Sequence, residues 1–254
     1  MPEFFNVLPP EDARRLMFAH MDWRMAPETI PVSQALGRVT AAAVHSPQAL
    51  PGFRRSTMDG YAVRAADTYG ASGSLPAFLQ VVGEVPMGEA ATVEIGSGQA
   101  AVVHTGGMIP ETADAVVQIE QTQFISADET TPPPFEIEVF KAVAVGQNVL
   151  QIGEDVALDS EIFAAGHLLR PQDLGGLLAV GITEVAVAQR PRVGILATGD
   201  EVVAPALLTQ PGQIRDINSY TVSGQVAAAG GTAVRGGIIP DDYEALAAAA
   251  RQLL

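Results

Sequence analysis

The 254-residue chain has no cysteine and a single lysine, Lys141. The lack of cysteine excludes disulfides, thiolate nucleophiles and cysteine-ligated zinc or iron–sulfur sites. No stretch approaches the roughly 18 uninterrupted apolar residues of a membrane-spanning helix. The first residues also lack the basic start and apolar run of a signal peptide. These absences predict, by default, a cytoplasmic protein.

The formal net charge of the chain is −15 at pH 7. Nucleic acids and anionic membranes are bound chiefly by neutralising their phosphates, so we expect neither as a partner. An anionic ligand would need a divalent metal or a local arginine cluster to offset this charge. The four histidines are far apart and show no metal-ligand spacing, which is typical of structural histidines.

The pattern of apolar segments and turns predicts a multidomain α+β and α/β fold. Residues 1–45 and 146–189 share one style and predict a discontinuous linker domain. Residues 46–145 instead alternate short strands with Gly- and Pro-rich turns, which predicts an inserted antiparallel β domain. We expect its strands at Gly60–Arg64, Ala77–Val85, Ala100–His104, Ala115–Phe124 and Phe135–Ala142, with residues 126–134 as a hairpin tip.

The segment 190–254 changes to a strand–helix–strand–helix pattern. We expect strands at Val193–Ala197 and Thr232–Ile239, a helix at Ser219–Ala229 capped by Asn218, and a final helix at Tyr243–Leu254. This order implies parallel strands joined by right-handed crossovers. Two strands do not complete such a sheet, because parallel sheets need both faces covered. We therefore expect that residues 190–254 form only part of a domain.

The stretch Pro51–Ala62 (Pro-Gly-Phe-Arg-Arg-Ser-Thr-Met-Asp-Gly-Tyr-Ala) concentrates polar chemistry in one loop. It combines a Pro-Gly turn, two arginines, two hydroxyls and the carboxylate of Asp59. Loops of this composition fix backbone shape and present polar groups for binding. A plain connector is the alternative, because Pro-Gly and Asp-Gly are common turn formers.

Six motifs, in order, carry a resemblance to a known family. They are Pro51–Ala62, His104–Val117, Gly153–Asp155, Pro191–Glu201, Gly212–Ser219 and Gly237–Asp242. Together they resemble the molybdopterin molybdenumtransferase family of molybdenum cofactor biosynthesis, to which the gephyrin E domain is related. The resemblance covers essentially the whole chain. It implies a linker domain, an inserted β domain and, in residues 190–254, the first half of a doubly wound molybdopterin-binding domain.

The resemblance implies insertion of molybdate into adenylylated molybdopterin with release of AMP, assisted by Mg²⁺. It also implies a homodimer in which the inserted domain of one subunit faces the molybdopterin-binding domain of the other. A molybdopterin adenylyltransferase would act upstream. Three features of the family are absent: a Gly-Gly-Val-Ser-Val-Gly loop, a Pro-Gly-Lys-Pro lysine, and an arginine at the position of Leu150.

The family match implies catalytic and metal-binding roles for Asp59 and Glu201. Thr105 and Gly106 can offer a hydroxyl and backbone N–H groups to an anion. The implied substrate-binding residues are Thr105, Gly106, Thr198, Gly199, Asp200, Asp216, Asn218, Asp241 and Asp242. For the acidic residues and Asn218, turn formation and helix capping are competing interpretations.

Three interpretations of the whole chain remain open at this stage. The first is an incomplete and inactive portion of the transferase, because the family's lysine is absent. The second is a non-catalytic dimeric scaffolding module of the gephyrin type, and the third is a natural short homologue that only binds ligand. Both molybdate and tungstate fit the pattern. The coding region downstream of Leu254 would separate a portion from a short homologue.

Overall fold

A computed structural model describes residues 7–21, 24–125 and 131–253 of the chain. The described residues form four α-helices: α1 (Pro10–Ala19), α2 (Pro171–Ala179), α3 (Asn218–Ala228) and α4 (Tyr243–Leu253). Their strands are β1 (Pro27–Pro31), β2 (Val44–His45), β3 (Arg55–Ser56), β4 (Gly60–Val63), β5 (Ala77–Glu84), β6 (Gln99–Val103), β7 (Ala115–Gln118), β8 (Thr122–Phe124), β9 (Phe135–Val139), β10 (Val149–Leu150), β11 (Glu161–Phe163), β12 (Glu184–Ala188), β13 (Arg192–Thr198), β14 (Val202–Val203), β15 (Ile214–Arg215) and β16 (Thr232–Ile239). None of the described helices is long and apolar enough to cross a membrane.

The chain divides into two compact units. One, called here the β unit, contains residues 44–162 and 176–182. The other, called the α/β unit, contains residues 1–43, 163–175 and 183–254. The three domains expected from the sequence, with boundaries near residues 45, 145 and 189, stay a prediction.

The β unit is built on a six-stranded sheet in the order β7-β4-β6-β5-β9-β8. All four residues of β4 are buried, which fits its place between β6 and β7. Neighbouring residues of one strand point to opposite faces. Accordingly Val117 packs in one apolar cluster with Leu79 and Ile137, while Val116 packs in a second with Val103. Both faces of the sheet are therefore covered, which explains the short, continuously apolar runs in this region.

Two expectations for this sheet were wrong. It is not wholly antiparallel, because β5 and β6 pair in parallel through the connection formed by residues 85–98. The single strand expected at Ala115–Phe124 is interrupted by a 3₁₀ turn at Ile119–Gln121. The physical reason is that β7 and β8 lie at opposite edges of the sheet, so the chain must leave one edge to reach the other. The expected pairing of β8 with β9 is confirmed, although residues 126–130 of their hairpin tip lie outside the described residues.

The α/β unit contains the strand–helix–strand–helix pattern expected from the sequence. β13 and β16 pair in parallel, and α3 forms the connection between them. β1 and β12 form a separate antiparallel pair. Sequence analysis missed a second parallel pair, β14 with β15, whose two-residue strands carry no periodic signal. This small pair follows β13 and precedes α3, so it lies beside the carboxyl ends of the parallel strands.

Candidate functional site

The loop Pro51–Ala62 is tied to the turn that follows β6. The Ser56 N–H donates to the carbonyl of Gly107 at 2.9 Å, and the Gly106 N–H donates to the carbonyl of Ser56 at 2.8 Å. The Ser56 hydroxyl donates in turn to the carbonyl of Met58. These bonds bring two sequence-distant motifs together and leave the end of the loop, at Asp59, beside Thr105.

The Arg54 side chain stabilises this arrangement through hydrogen bonds to the turn at residues 110–113. Its Nη1 donates to the carbonyl of Ala113 at 2.9 Å. Its Nη2 is 3.1 Å from the carbonyls of both Pro110 and Glu111. The guanidinium is thus occupied by three backbone oxygens of one turn, which makes Arg54 a structural clamp.

Asp59 is presented at the surface next to a glycine that the packing requires. A Cβ on Gly60 would lie 2.0 Å from the carbonyl oxygen of Val117, so no other residue fits there. The Asp59 side chain is 63% exposed, and its Oδ1 accepts the Thr105 N–H at 2.9 Å. The structure therefore places Asp59, Thr105 and Gly106 side by side, an arrangement that the sequence did not indicate. The backbone N–H groups of Thr105 and Gly106 are already engaged within the chain, which leaves the Thr105 hydroxyl as the group to meet a ligand.

A second group of expected residues lies at the carboxyl ends of β13 and β16. Thr198 is the last residue of β13, and the N–H of Gly199 donates to the carbonyl of Ile239 at 3.3 Å. Gly199 has φ of +137°, and a Cβ there would lie 2.8 Å from Oε2 of Glu201. The chain therefore turns beside the Glu201 side chain, in a positive-φ conformation that favours glycine at position 199.

Three aspartates extend this strand-end region. Asp200 Oδ1 accepts the N–H of Asp241 at 3.2 Å, which joins the two turns that follow β13 and β16. Asp242 Oδ1 accepts the N–H of Ala245 at 2.8 Å and so caps α4. Asp200 and Asp241 thus lie together at the edge where doubly wound sheets bind ligands, whereas Asp242 has a structural role available to it.

Beside these turns lies a cavity of about 760 Å³, called here the strand-end cavity. Its volume falls in the range of small-molecule sites, roughly 300–1,000 Å³. Its walls come from β13, the β14–β15 pair and the start of α3. The lining residues are Leu196, Ala197, Thr198, Val202, Thr209, Gln213, Ile214, Arg215, Asp216, Ile217 and Asn218.

Asp216 and Asn218, both expected to bind substrate, differ in their environment. Asp216 is buried, and its carboxylate accepts bonds from the N–H and the hydroxyl of Ser219. These bonds hold the pKa of Asp216 below its ordinary value. Asp216 is therefore the cap of α3, and the expectation that Asn218 caps it was wrong. Asn218 is instead the first residue of the helix and is exposed beside the cavity.

Comparison with known proteins assigns the chain to a family. A family model described as the MoeA N-terminal region (domain I and II) matches residues 8–181. The chain belongs to the MoeA family. A second model, described as a probable molybdopterin binding domain, matches residues 194–254 and covers the strand-end cavity.

Named relatives agree with this assignment. The molybdopterin molybdenumtransferase of Bacillus subtilis is 33% identical over 254 residues, which is 100% of this chain and 58% of that protein. Molybdopterin molybdenumtransferase 2 of Mycobacterium tuberculosis is 35% identical over 216 residues, covering 85% of this chain and 51% of that protein. The chain thus spans about half the length of these curated relatives.

A crystal structure of a molybdopterin biosynthesis MoeA protein from Pyrococcus horikoshii matches with a TM-score of 0.89 and 34% identity. The match covers 97% of this chain and 63% of that protein. The predicted fold class, mixed α+β with a parallel α/β segment, is therefore confirmed as that of a MoeA protein.

The sequence did not indicate that Glu84 and His104 lie in contact near Asp59. His104 Nε2 lies 3.0 Å from Glu84 Oε1, and its Nδ1 lies 3.9 Å from Asp59 Oδ1. The contact arises because Glu84 ends β5 and His104 follows β6, its parallel neighbour. Nothing in the spacing of these residues indicates that pairing, and His104 was interpreted as an ordinary structural histidine.

Within the described residues, the acidic side chains of this MoeA chain do not by themselves form a metal-binding site. Across residues 7–21, 24–125 and 131–253, no group of three or more Asp, Glu or His side chains is placed to hold a metal ion. Asp59 and Glu201 belong to different units, and each offers a single exposed carboxylate. Such a donor suits Mg²⁺, which is commonly bound by one or two carboxylates together with substrate phosphates.

Proposed function

We propose that this chain provides the Asp59 loop and the strand-end cavity of a molybdopterin molybdenumtransferase. The reaction is insertion of molybdate into adenylylated molybdopterin, with release of AMP. The observation that carries this proposal is the cavity of about 760 Å³ at the carboxyl end of β13, inside the segment that matches a molybdopterin binding domain. Ligands of doubly wound folds bind at such strand ends.

The residues of the cavity and the adjoining turns have distinct proposed roles. The hydroxyl of Thr198 and the amide of Asn218 provide hydrogen bonds to the ligand at the cavity wall. Gly199 lets the chain turn beside Glu201, whose side chain is exposed. Asp200 and Asp241 fix that turn against its neighbour by their mutual bond. Asp216 and Asp242 act through the helices that they cap.

The Asp59 loop supplies the other half of the proposed chemistry. Thr105 holds one oxygen of Asp59 through its N–H, so the carboxylate has a fixed direction before ligand arrives. The Thr105 hydroxyl and the Gly106 turn border the same surface. Mg²⁺ held by Asp59 and Glu201 would neutralise charge that develops on the phosphoanhydride.

A homodimer is proposed because the family resemblance implies that the two half-sites come from different subunits. The surface of α1 supports an interface between copies, since no residue of this helix is buried and Leu16, Met17 and Phe18 are exposed. Light scattering of the purified chain should give a dimer mass, and Phe18→Asp should shift it to a monomer. A monomeric mass for the unaltered chain would contradict this assembly.

The proposal also includes an upstream partner and a location. A molybdopterin adenylyltransferase would supply the substrate, and both proteins would act in the cytoplasm.

The catalytic role of Asp59 can be tested in the protein encoded by the full reading frame. Asp59→Asn should abolish molybdenum insertion, because the neutral amide cannot hold a cation at this position. Folding should change little, since the side chain is exposed and accepts a single hydrogen bond from the described residues. Glu89→Gln, an exposed carboxylate change elsewhere in the β unit, is the matched control. Equal insertion activity of Asp59→Asn and the unaltered protein would refute the role.

The second candidate is a non-catalytic dimeric binding module of the gephyrin type. The observation that favours it is the composition of the strand-end cavity, where the described lining residues include one cation for a strongly anionic substrate. If this candidate is correct, the protein encoded by the full reading frame should bind a nucleotide without hydrolysing adenylylated molybdopterin. Measurable release of AMP by that protein would favour the enzyme.

A further inference from the structure

We propose that Arg215 recognises a tetrahedral oxyanion group of the ligand in the strand-end cavity, such as a nucleotide phosphate. This inference rests on the proposed function and adds a specificity-determining residue to it. Arg215 is the last residue of β15, which pairs with β14 on the cavity wall. Among the described residues that line the cavity it is the single cation.

The Nε of Arg215 is bound within the chain, and its two terminal nitrogens can bind a ligand. Its Nε donates to the carbonyl of Pro205 at 3.1 Å, which fixes the guanidinium plane. Within the described residues no carboxylate lies within 4.0 Å of its terminal nitrogens, in contrast to Arg38 and Arg170. A guanidinium in this state can present two parallel N–H groups, the geometry that matches a phosphate.

The charged groups next to Arg215 already have hydrogen-bond or ring partners within the chain. The adjacent Asp216 accepts hydrogen bonds from the N–H and the hydroxyl of Ser219, one at each carboxylate oxygen. Arg235, the other cation nearby, lies 4.1 Å above the ring of Tyr220 and interacts with Asp216. Its charge is therefore engaged in the wall of a second cavity of about 370 Å³. In a chain of net charge −15, an anion entering the strand-end cavity meets one uncompensated guanidinium.

Calorimetric titration of the purified chain can test this role with AMP, adenosine and sodium molybdate as probes. At low salt the unaltered chain should bind AMP about 10- to 100-fold more tightly than adenosine, the effect of a charge-assisted hydrogen bond pair. Arg215→Gln should remove this difference, and Arg215→Lys should restore part of it through charge alone. Arg192→Gln is the matched control, because Arg192 carries the same charge at the opposite end of β13 and lines a different cavity.

The outcomes separate the ligand sources and the two proposals. If Arg215→Gln weakens molybdate binding and leaves AMP unchanged, the oxyanion is the free one, and recognition by Arg215 still holds. If Arg215→Gln keeps full preference for AMP and full affinity for molybdate, the role of Arg215 is refuted while the proposed function stands. Equal losses in Arg215→Gln and Arg192→Gln would refute it as well, because net charge would then explain the effect. If the unaltered chain binds none of the three probes, both proposals fail.

Discussion

Replacing Arg54 by methionine is the sharpest test of how the Asp59 loop is held. Methionine keeps most of the apolar stem and removes the guanidinium, so the change isolates the three bonds to the 110–113 turn. Two of the accepting carbonyls belong to buried residues, Pro110 and Ala113, whereas Glu111 is exposed and can bond water instead. The loss therefore concentrates on two buried oxygens.

The expected destabilisation of Arg54→Met is about 2–4 kcal/mol, at about 1–2 kcal/mol for each buried carbonyl left without a donor. Urea unfolding followed by far-ultraviolet circular dichroism measures this free energy. Hydrogen exchange over residues 110–118 shows whether the loss is local to the turn. Arg54→Lys should recover no more than one of the bonds, because its ammonium cannot reach three oxygens in a fork.

Arg55→Met is the matched control for this prediction. Arg55 lies in the same loop, but its Nη2 is 3.7 Å from the carboxylate of Asp155, and both side chains are substantially exposed. An exposed pair of this kind contributes about 0–1 kcal/mol. If Arg54→Met and Arg55→Met cost the same, the clamp does not hold the loop and the reasoning fails.

Two further predictions concern the same scaffold. Gly60→Ala should cost at least about 3 kcal/mol in urea unfolding, because its Cβ would lie 2.0 Å from the Val117 carbonyl oxygen; Gly70→Ala, where nothing lies within 4 Å, should cost about 1 kcal/mol from its positive φ alone. Arg170 holds the pKa of Asp173 well below its ordinary value. Since the unfolded state then binds more protons at low pH, this contribution to stability is complete above about pH 4 and is lost as pH falls below it. Asp173→Asn should flatten that dependence, and an unchanged slope of unfolding free energy below pH 4 would contradict it.

The strands of the β unit could be predicted from the sequence where a short apolar run is bounded by turns and is buried in the fold. Gly60–Val63 and Gln99–Val103 are short apolar runs bounded by turns, and each forms a strand within two residues of its expected ends. The order of strands was not readable, because it depends on which edges pair. The continuous run from Ala115 to Phe124 contains no signal that its two halves belong to opposite edges of the sheet.

The candidate site was likewise predictable from the sequence only in part. The motifs selected Asp59 and Thr105 separately and did not indicate that they are neighbours, which the structure shows by joining them through one hydrogen bond. The contact of Glu84 with His104 follows from the parallel pairing of β5 with β6, which sequence analysis had missed. Arg215 lies inside a recognised motif, yet its position on a cavity wall depends on β14 and β15, strands too short to carry a periodic pattern.

The net charge of −15 led to the expectation that an anionic ligand needs a divalent metal or a local arginine cluster. The arrangement of charges around the strand-end cavity shows how a single arginine can meet this need. Charges farther than about 8–10 Å away are largely screened at physiological salt, so a ligand in the cavity responds to its immediate neighbours. Among these, the Asp216 carboxylate is held by hydrogen bonds from Ser219, while Arg215 is anchored by a carbonyl and has no carboxylate within 4.0 Å among the described residues. An acidic protein can therefore present an anion site, provided that its nearby carboxylates are occupied and one arginine is not.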